Sequence, residues 1–210
     1  MARRQGQIDE RKREAVLDAA ATLFAEKGMA VSMEEIARVA GVSKQTLYNR
    51  FASKAEIAKA LANQRSDAIV APLMGSGEPA QVLEALAVSL LERVCRPDKV
   101  GSMRGVVLMS AEAPDIALAV YEGGPLRSLK LLSAWLAEQT RAGRLDVPEP
   151  EDAAEMFNGM VLGHAHLRAM LNVPQLEAAR RARRARNAVR LFMAAYGPKV
   201  SVASRTASDA

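Results

Sequence analysis

Val31-Ser-Met-Glu-Glu-Ile-Ala-Arg-Val-Ala-Gly-Val-Ser-Lys-Gln-Thr-Leu-Tyr-Asn-Arg-Phe-Ala-Ser-Lys54 signs two helix starts with a stop between them. Ser32-Met-Glu-Glu35 is a capping box: the Ser32 hydroxyl takes the amide three residues on, and Glu35 reaches back to the N-cap amide. Val31 and Ile36 occupy the hydrophobic-staple positions around it. Met33, Ile36, Ala37 and Ala40 give this short helix an apolar face, and Gly41 stops it. Ser43 caps a second helix, with Val42 and Leu47 as its staple and Leu47 and Phe51 on its inner face. Two short capped helices joined through Ala40-Gly-Val42 predict a helix-turn-helix.

Working upstream, Leu17, Ala20, Ala21 and Phe24 share one helical face, so a helix is expected over 8–27, stopped at Gly28. Residues 1–7 read as a disordered basic arm, with Arg3 and Arg4 available to an acidic partner. Downstream, Ser53-Lys-Ala-Glu56 is another capping box, opening a fourth helix that runs to about Val70, before Pro72. Gly75-Ser-Gly-Glu-Pro79 is a loop. Further helices are expected at 80–95, 100–111, 115–121, 125–142, 151–171 and 174–196, separated by Pro97, Pro114, Gly123-Gly-Pro125, Gly143, Pro148, Pro150 and Pro174. The tail 197–210 is small and polar and reads as disordered. No strand alternation stands out, so the expected fold class is all-α.

Composition agrees. Of 210 residues half are hydrophobic but only 4% aromatic, so the core must be Ala, Leu, Val and Met, which suits close helix packing. The formal net charge of +5 weakly favours an acidic partner. The single cysteine, Cys95, excludes an intramolecular disulfide framework and any cysteine-based metal cluster; it reads as a small buried hydrophobe rather than a redox sensor. The basic N-terminus lacks the apolar core of a secretory signal, and no apolar run is long enough to span a bilayer, so the expectation is a cytoplasmic protein with no membrane partner.

With Leu47 and Phe51 facing inward, a helix that advances about 100° per residue turns Gln45 and Asn49 outward, flanked by Thr46 and Tyr48. This face is rich in hydrogen-bonding groups and poor in bulky aliphatics, as insertion into a DNA major groove requires. Lys44 toward guanine, and Gln45 or Asn49 toward adenine, are chemically sensible pairings. The bland alternative is that Ser32, Ser43 and Ser53 are only caps, that Tyr48 packs on the head, and that Lys44 and Lys54 are solvated.

Along the same segment the chain resembles the TetR family of bacterial repressors: Ile36-Ala37, Ala40-Gly-Val-Ser43, Thr46-Leu-Tyr48, Phe51 and Ser53-Lys54 fit, as do Ala19-Ala20, Leu23-Phe24 and Gly28 upstream. The specific resemblance covers roughly residues 10–60. It implies an N-terminal three-helix helix-turn-helix DNA-binding head over 8–53 and a larger helical ligand-binding and dimerisation domain over 54–196. It also implies phosphate contacts from Ser32, Thr46, Tyr48, Arg50 and Lys54. Gln45 departs from the small residue or proline often found there, and Arg50 from the common histidine. Met103-Arg-Gly-Val-Val-Leu-Met-Ser-Ala-Glu-Ala-Pro-Asp115, followed by Tyr121-Glu-Gly-Gly-Pro125, looks like the branch that regulates multidrug efflux.

In the body, Ala182, Ala185, Val189, Phe192 and Tyr196 recur at 3-4-3-4 spacing, a heptad-like seam. Met156, Met160, His164, Leu167 and Leu171 recur at 4-4-3-4 in the preceding helix. Both seams are expected in a homodimer interface, as in the family; the alternative is that they face the chain's own core. Arginines of the run Arg180–Arg186 fall outside the seam and read as a solvated face rather than a nucleic-acid patch. Met103, Met109, Trp135, Phe157, Asn158 and His164 are candidate walls of an effector pocket, weighed against plain core. His164 and His166 do not share a helix face, which makes a poor metal site. No metal or cofactor is expected, and no nucleophile–base set, phosphate loop or metal spacing points to an enzyme. The expected partners are double-stranded operator DNA, a second copy and a small-molecule effector. The alternative is a DNA-binding activator or architectural protein without a ligand.

Overall fold

The computed structural model describes residues 2–95 and 104–198, with side chains from Asp9 onward. The described residues are all-α and contain no strand. The N-terminal elements are α1 (Ala2–Lys27), α2 (Met33–Val39), α3 (Lys44–Tyr48) and α4 (Lys54–Val70). They are followed by α5 (Pro79–Cys95), α6 (described over 104–109) and α7 (Pro114–Tyr121). A π-helical turn, Glu122–Leu126, then leads into α8 (Arg127–Arg141), α9 (Pro150–Leu162), α10 (Ala165–Met170) and α11 (Ala178–Tyr196). No helix of the described residues is long and apolar enough to cross a membrane.

The chain divides into two compact units. The first comprises Met1–Ile69, Glu92–Ser128 and His164–Gln175; the second comprises Val70–Leu91, Leu129–Gly163 and Leu176–Ala210. Within the first, Val16, Leu17, Ala20 and Leu23 of α1 meet Ile36 and Ala37 of α2, Leu47 of α3 and Phe51. Ile57, Ala60 and Leu61 of α4 complete that core. Burying this many aliphatic side chains is what holds such short helices, since α2 and α3 are far too short to persist alone.

In the second unit, Leu83, Leu86 and Leu91 of α5, Leu132 and Leu136 of α8, Phe157 of α9 and Phe192 of α11 are fully buried. Phe157 and Phe192 meet edge to face with ring centroids 5.3 Å apart, the arrangement that aromatic quadrupoles favour. Tyr196 continues the stack, 4.8 Å from Phe192. The Asp146 amide donates to the Tyr196 carbonyl at 2.8 Å and ties the α8–α9 connection to the end of α11.

Four expectations are revised. The arm over 1–7 is instead helical from Ala2; Arg3, Arg4, Gln5 and Gln7 are good helix formers and extend α1 backward. Gly123-Gly-Pro125 does not break the helix: residues 114–141 are continuously helical, and the wider π turn accommodates Pro125. The helix expected over 151–171 is broken at Gly163, whose φ of +47° with ψ of −123° is a conformation that glycine alone adopts readily. There the Arg184 guanidinium donates to the Leu162 carbonyl at 3.2 Å, taking over an acceptor the helix has abandoned. The last helix begins at Ala178 rather than 174. Met103 and residues 199–210 of the expected tail lie outside the described residues.

Candidate nucleic-acid interface

Local capping sets the geometry of α2 and α3. The Ser32 hydroxyl accepts from the Glu35 amide at 3.1 Å, and that of Ser43 accepts from the Thr46 amide at 3.1 Å. Between the helices Gly41 takes φ +67°, and the Val42 amide donates back to the Ala37 carbonyl at 3.0 Å. This left-handed closure satisfies the end of α2 and turns the chain sharply into α3. Ser53 caps α4, and Glu56 accepts from the Ala52 amide at 2.8 Å, one residue before the cap. The reciprocal arm expected of Glu35 goes elsewhere: its carboxylate takes the Lys27 ammonium at 2.5 Å.

The result is a two-sided α3. Leu47 is fully buried, and Phe51 nearly so. Lys44, Gln45, Tyr48 and Asn49 are exposed, Tyr48 at 46%. Thr46 is half-buried, its hydroxyl 2.8 Å from that of Ser43, and Ser32 is exposed beside the cap it forms. The helix is one turn shorter than the run to Phe51; Arg50 and Phe51 close it with amide bonds to the Leu47 carbonyl, each 2.9 Å.

The cations of this surface are held by groups the sequence did not single out. Lys44 lies 3.4 Å from the Glu34 carboxylate of α2. Arg50, its side chain 19% exposed, folds back onto Asp9 of α1. Lys54 donates to the Met29 carbonyl at 2.7 Å. Glu34 is held below the usual carboxylate range by its backbone hydrogen bond and then by Lys44. Glu35 is lowered by the Lys27 hydrogen bond, with burial opposing and Lys27 and Arg38 charges assisting. These pairings join residues of different helices at no fixed spacing, so periodicity carried no signal for Glu34 or Asp9.

Two family profiles match this chain. One, described as bacterial regulatory proteins of the tetR family, covers residues 16–61; the other, an AefR-like transcriptional repressor C-terminal domain, covers residues 81–198, more than half the chain. The chain belongs to the TetR family. The first profile takes in α2, α3 and the α4 residues of the head core, and the second reaches the end of α11. Among solved TetR-like structures, a TetR-family transcriptional regulator from Mesorhizobium loti is 29% identical, with a TM-score of 0.74 over 90% of this chain and 98% of that one. The flavonoid-responsive regulator FrrA is 28% identical, with a TM-score of 0.68 over 91% and 100%. A TetR regulator from Agrobacterium tumefaciens, 24% identical with a TM-score of 0.72 over 90% and 95%, shares the fold. A search of curated proteins finds no match.

The other candidate residues of this TetR-family chain are scattered. Met160, Leu167 and Leu171 are exposed at 36%, 46% and 64%, free to meet another surface. Ala185, Val189 and Phe192 are buried within their own chain, and Ala182 is half-buried, which corrects their assignment to a dimer seam: the 3-4 spacing on α11 marks a face covered by Phe157 and its neighbours. The α9 seam does not run on through His164, because Gly163 ends the helix. Among the effector-pocket candidates, Phe157 is fully buried and Trp135 nearly so, Asn158 and Met109 are half-buried, and His164 is exposed. Phe157, packed on Phe192, is core. A surface groove of about 300 Å³ on the second unit contains none of these candidates; it runs between Met160 and Leu191, with Arg180, Arg183 and Arg184 along it.

Proposed function

We propose that this protein is a ligand-responsive transcriptional repressor, a homodimer whose two α3 helices enter successive major grooves of a pseudo-palindromic operator. The observation that carries the reading is the division of α3. Leu47 anchors it to the core while Lys44, Gln45, Tyr48 and Asn49 face outward, a donor-and-acceptor surface suited to base edges. Ser32, Thr46, Arg50 and Lys54 rim that surface and supply phosphate contacts that hold the register. Exposed Met160, Leu167 and Leu171 supply apolar surface for the second copy. Acting on DNA, the protein works in the cytoplasm.

A small hydrophobic or amphipathic effector releases the operator by favouring a dimer whose heads no longer match the groove spacing. The similarity to FrrA, named flavonoid-responsive, supports an effector of aromatic, amphipathic character. Switching from about 99:1 to 1:99 requires roughly 5.5 kcal/mol of differential binding. A regulator without an effector is the second reading, favoured by the burial of Phe157 against Phe192 in the core.

The test is a mobility shift on DNA upstream of the protein's own gene with unrelated competitor DNA, comparing wild type with Tyr48→Ala, followed by an effector screen on the shifted complex. Competitor-resistant binding lost in the variant supports the operator assignment. Failure across genomic promoters sinks it, and an operator that no compound releases favours the second reading.

A further inference from the structure

We propose that Glu122–Ser128 is a clamp that fixes the attitude of α4 and so sets the half-site spacing the dimer accepts; the proposal rests on the dimeric DNA-binding reading above. Four contacts within the first unit carry it. The Lys59 ammonium meets Glu122 at 2.5 Å. Gly123 is buried so closely on α4 that an added Cβ would lie 2.6 Å from the Lys59 carbonyl oxygen, 3.0 Å from Asn63 Oδ1 and 3.1 Å from the Ala62 methyl. Arg127 directs Nε and Nη2 to one oxygen of Asp67, at 2.9 and 2.8 Å. The hydroxyls of Ser66 and Ser128, both buried, lie 2.8 Å apart.

Lys59, Ala62, Asn63, Ser66 and Asp67 stand at i, i+3, i+4, i+7 and i+8, so the clamp grips a single face of α4 over two turns. Ile57, Ala60 and Leu61 of the same helix sit in the head core. A change in the clamp is therefore delivered to the head through a rigid rod. The two ion pairs are partly exposed and contribute little by themselves. The backbone contact at Gly123 and the buried serine pair fix the position. The π turn is what brings Gly123 there: tightening it to α-helix would rotate the flanking residues by about 100° and carry Glu122 and Gly123 off the α4 face.

The test needs no effector. Full-length wild type, Gly123→Ala, Arg127→Asp and the charge-swapped pair Arg127→Asp/Asp67→Arg are titrated by anisotropy onto operators whose half-sites are moved apart by one or two base pairs. Wild type is expected to prefer one spacing by about tenfold or more, because two linked recognition helices must both meet a major groove. Gly123→Ala and Arg127→Asp should flatten that preference, and the swapped pair should restore it. Folded dimeric variants that keep the wild-type preference overturn the proposal, even if their melting temperature falls. Should Gly123→Ala fail to fold, Arg127→Asp and its swap decide. Wild type that binds no operator would sink the DNA-binding reading itself, and the spacing claim with it.

Discussion

The Lys44 ammonium stands 3.4 Å from the Glu34 carboxylate, so the outward face of α3 is tethered to α2. In the proposed complex Lys44 turns from that carboxylate to a base edge, and Glu34 is left beside the DNA. An exposed pair contributes little to holding Lys44 in place, so repulsion between Glu34 and the phosphate backbone decides the sign. Glu34→Gln should tighten operator binding and steepen the dependence of log affinity on log salt by about one unit. Anisotropy titrations across a salt series check this; an unchanged slope would refute it.

Base-reading and phosphate-holding residues should separate experimentally. Gln45→Ala or Asn49→Ala should cost about 1–3 kcal/mol on the preferred operator and relax selectivity at one base position. Lys54→Gln, which retains a donor for the Met29 carbonyl, should weaken all sequences alike and lower the salt slope by about one. Binding to a panel of single-base operator variants distinguishes the two patterns.

Phe192 is core and Leu171 is surface, and their variants should differ in kind. Phe192→Ala removes a ring stacked between Phe157 and Tyr196 and should cost about 3–5 kcal/mol of folding stability. Leu171→Glu should leave the fold intact and shift sedimentation from dimer toward monomer. Equal dimer strength in wild type and Leu171→Glu would remove Leu171 from the interface.

The head should weaken in acid. Glu34 and Glu35 both titrate lower in the folded protein than in the unfolded chain. Their contribution is therefore full above the unfolded carboxylate value and is lost as the pH falls through the lowered folded values. Denaturant melts at neutral and acid pH should show a smaller acid loss in Glu34→Gln/Glu35→Gln than in wild type. Parallel losses would place the acid-sensitive groups elsewhere.

Removing one hydroxyl of the Ser66–Ser128 pair strands the other in the interior. Ser66→Ala should cost about 1–3 kcal/mol, and Ser66→Ala/Ser128→Ala less than the sum of the single variants. Additive losses would mean that the hydroxyls do not depend on one another.

Most of the head was legible because its signals are local. Ser32, Ser43 and Ser53 each bond to the amide three residues on, and Gly41 turns the chain where a left-handed residue is needed. Glu35 misled because a competing cation, Lys27, arrives from α1. Gly123-Gly-Pro125 misled because a π turn absorbs residues that would break an α-helix. The helix expected over 151–171 stops short because Gly163 takes a positive φ that ends α9.

The sequence by itself determined an all-helical chain with a helix-turn-helix near its start, and which α3 residues face outward, since caps, staples and periodicity act within a few residues of one another. Only the tertiary structure decided what covers each apolar face. Spacing marked Ala185, Val189 and Phe192 as one stripe, but packing against Phe157 assigned that stripe to the chain's own core. Packing likewise paired Arg50 with Asp9, Lys59 with Glu122 and Ser66 with Ser128. Such partners lie far apart along the chain, and folding alone brings them within bonding distance.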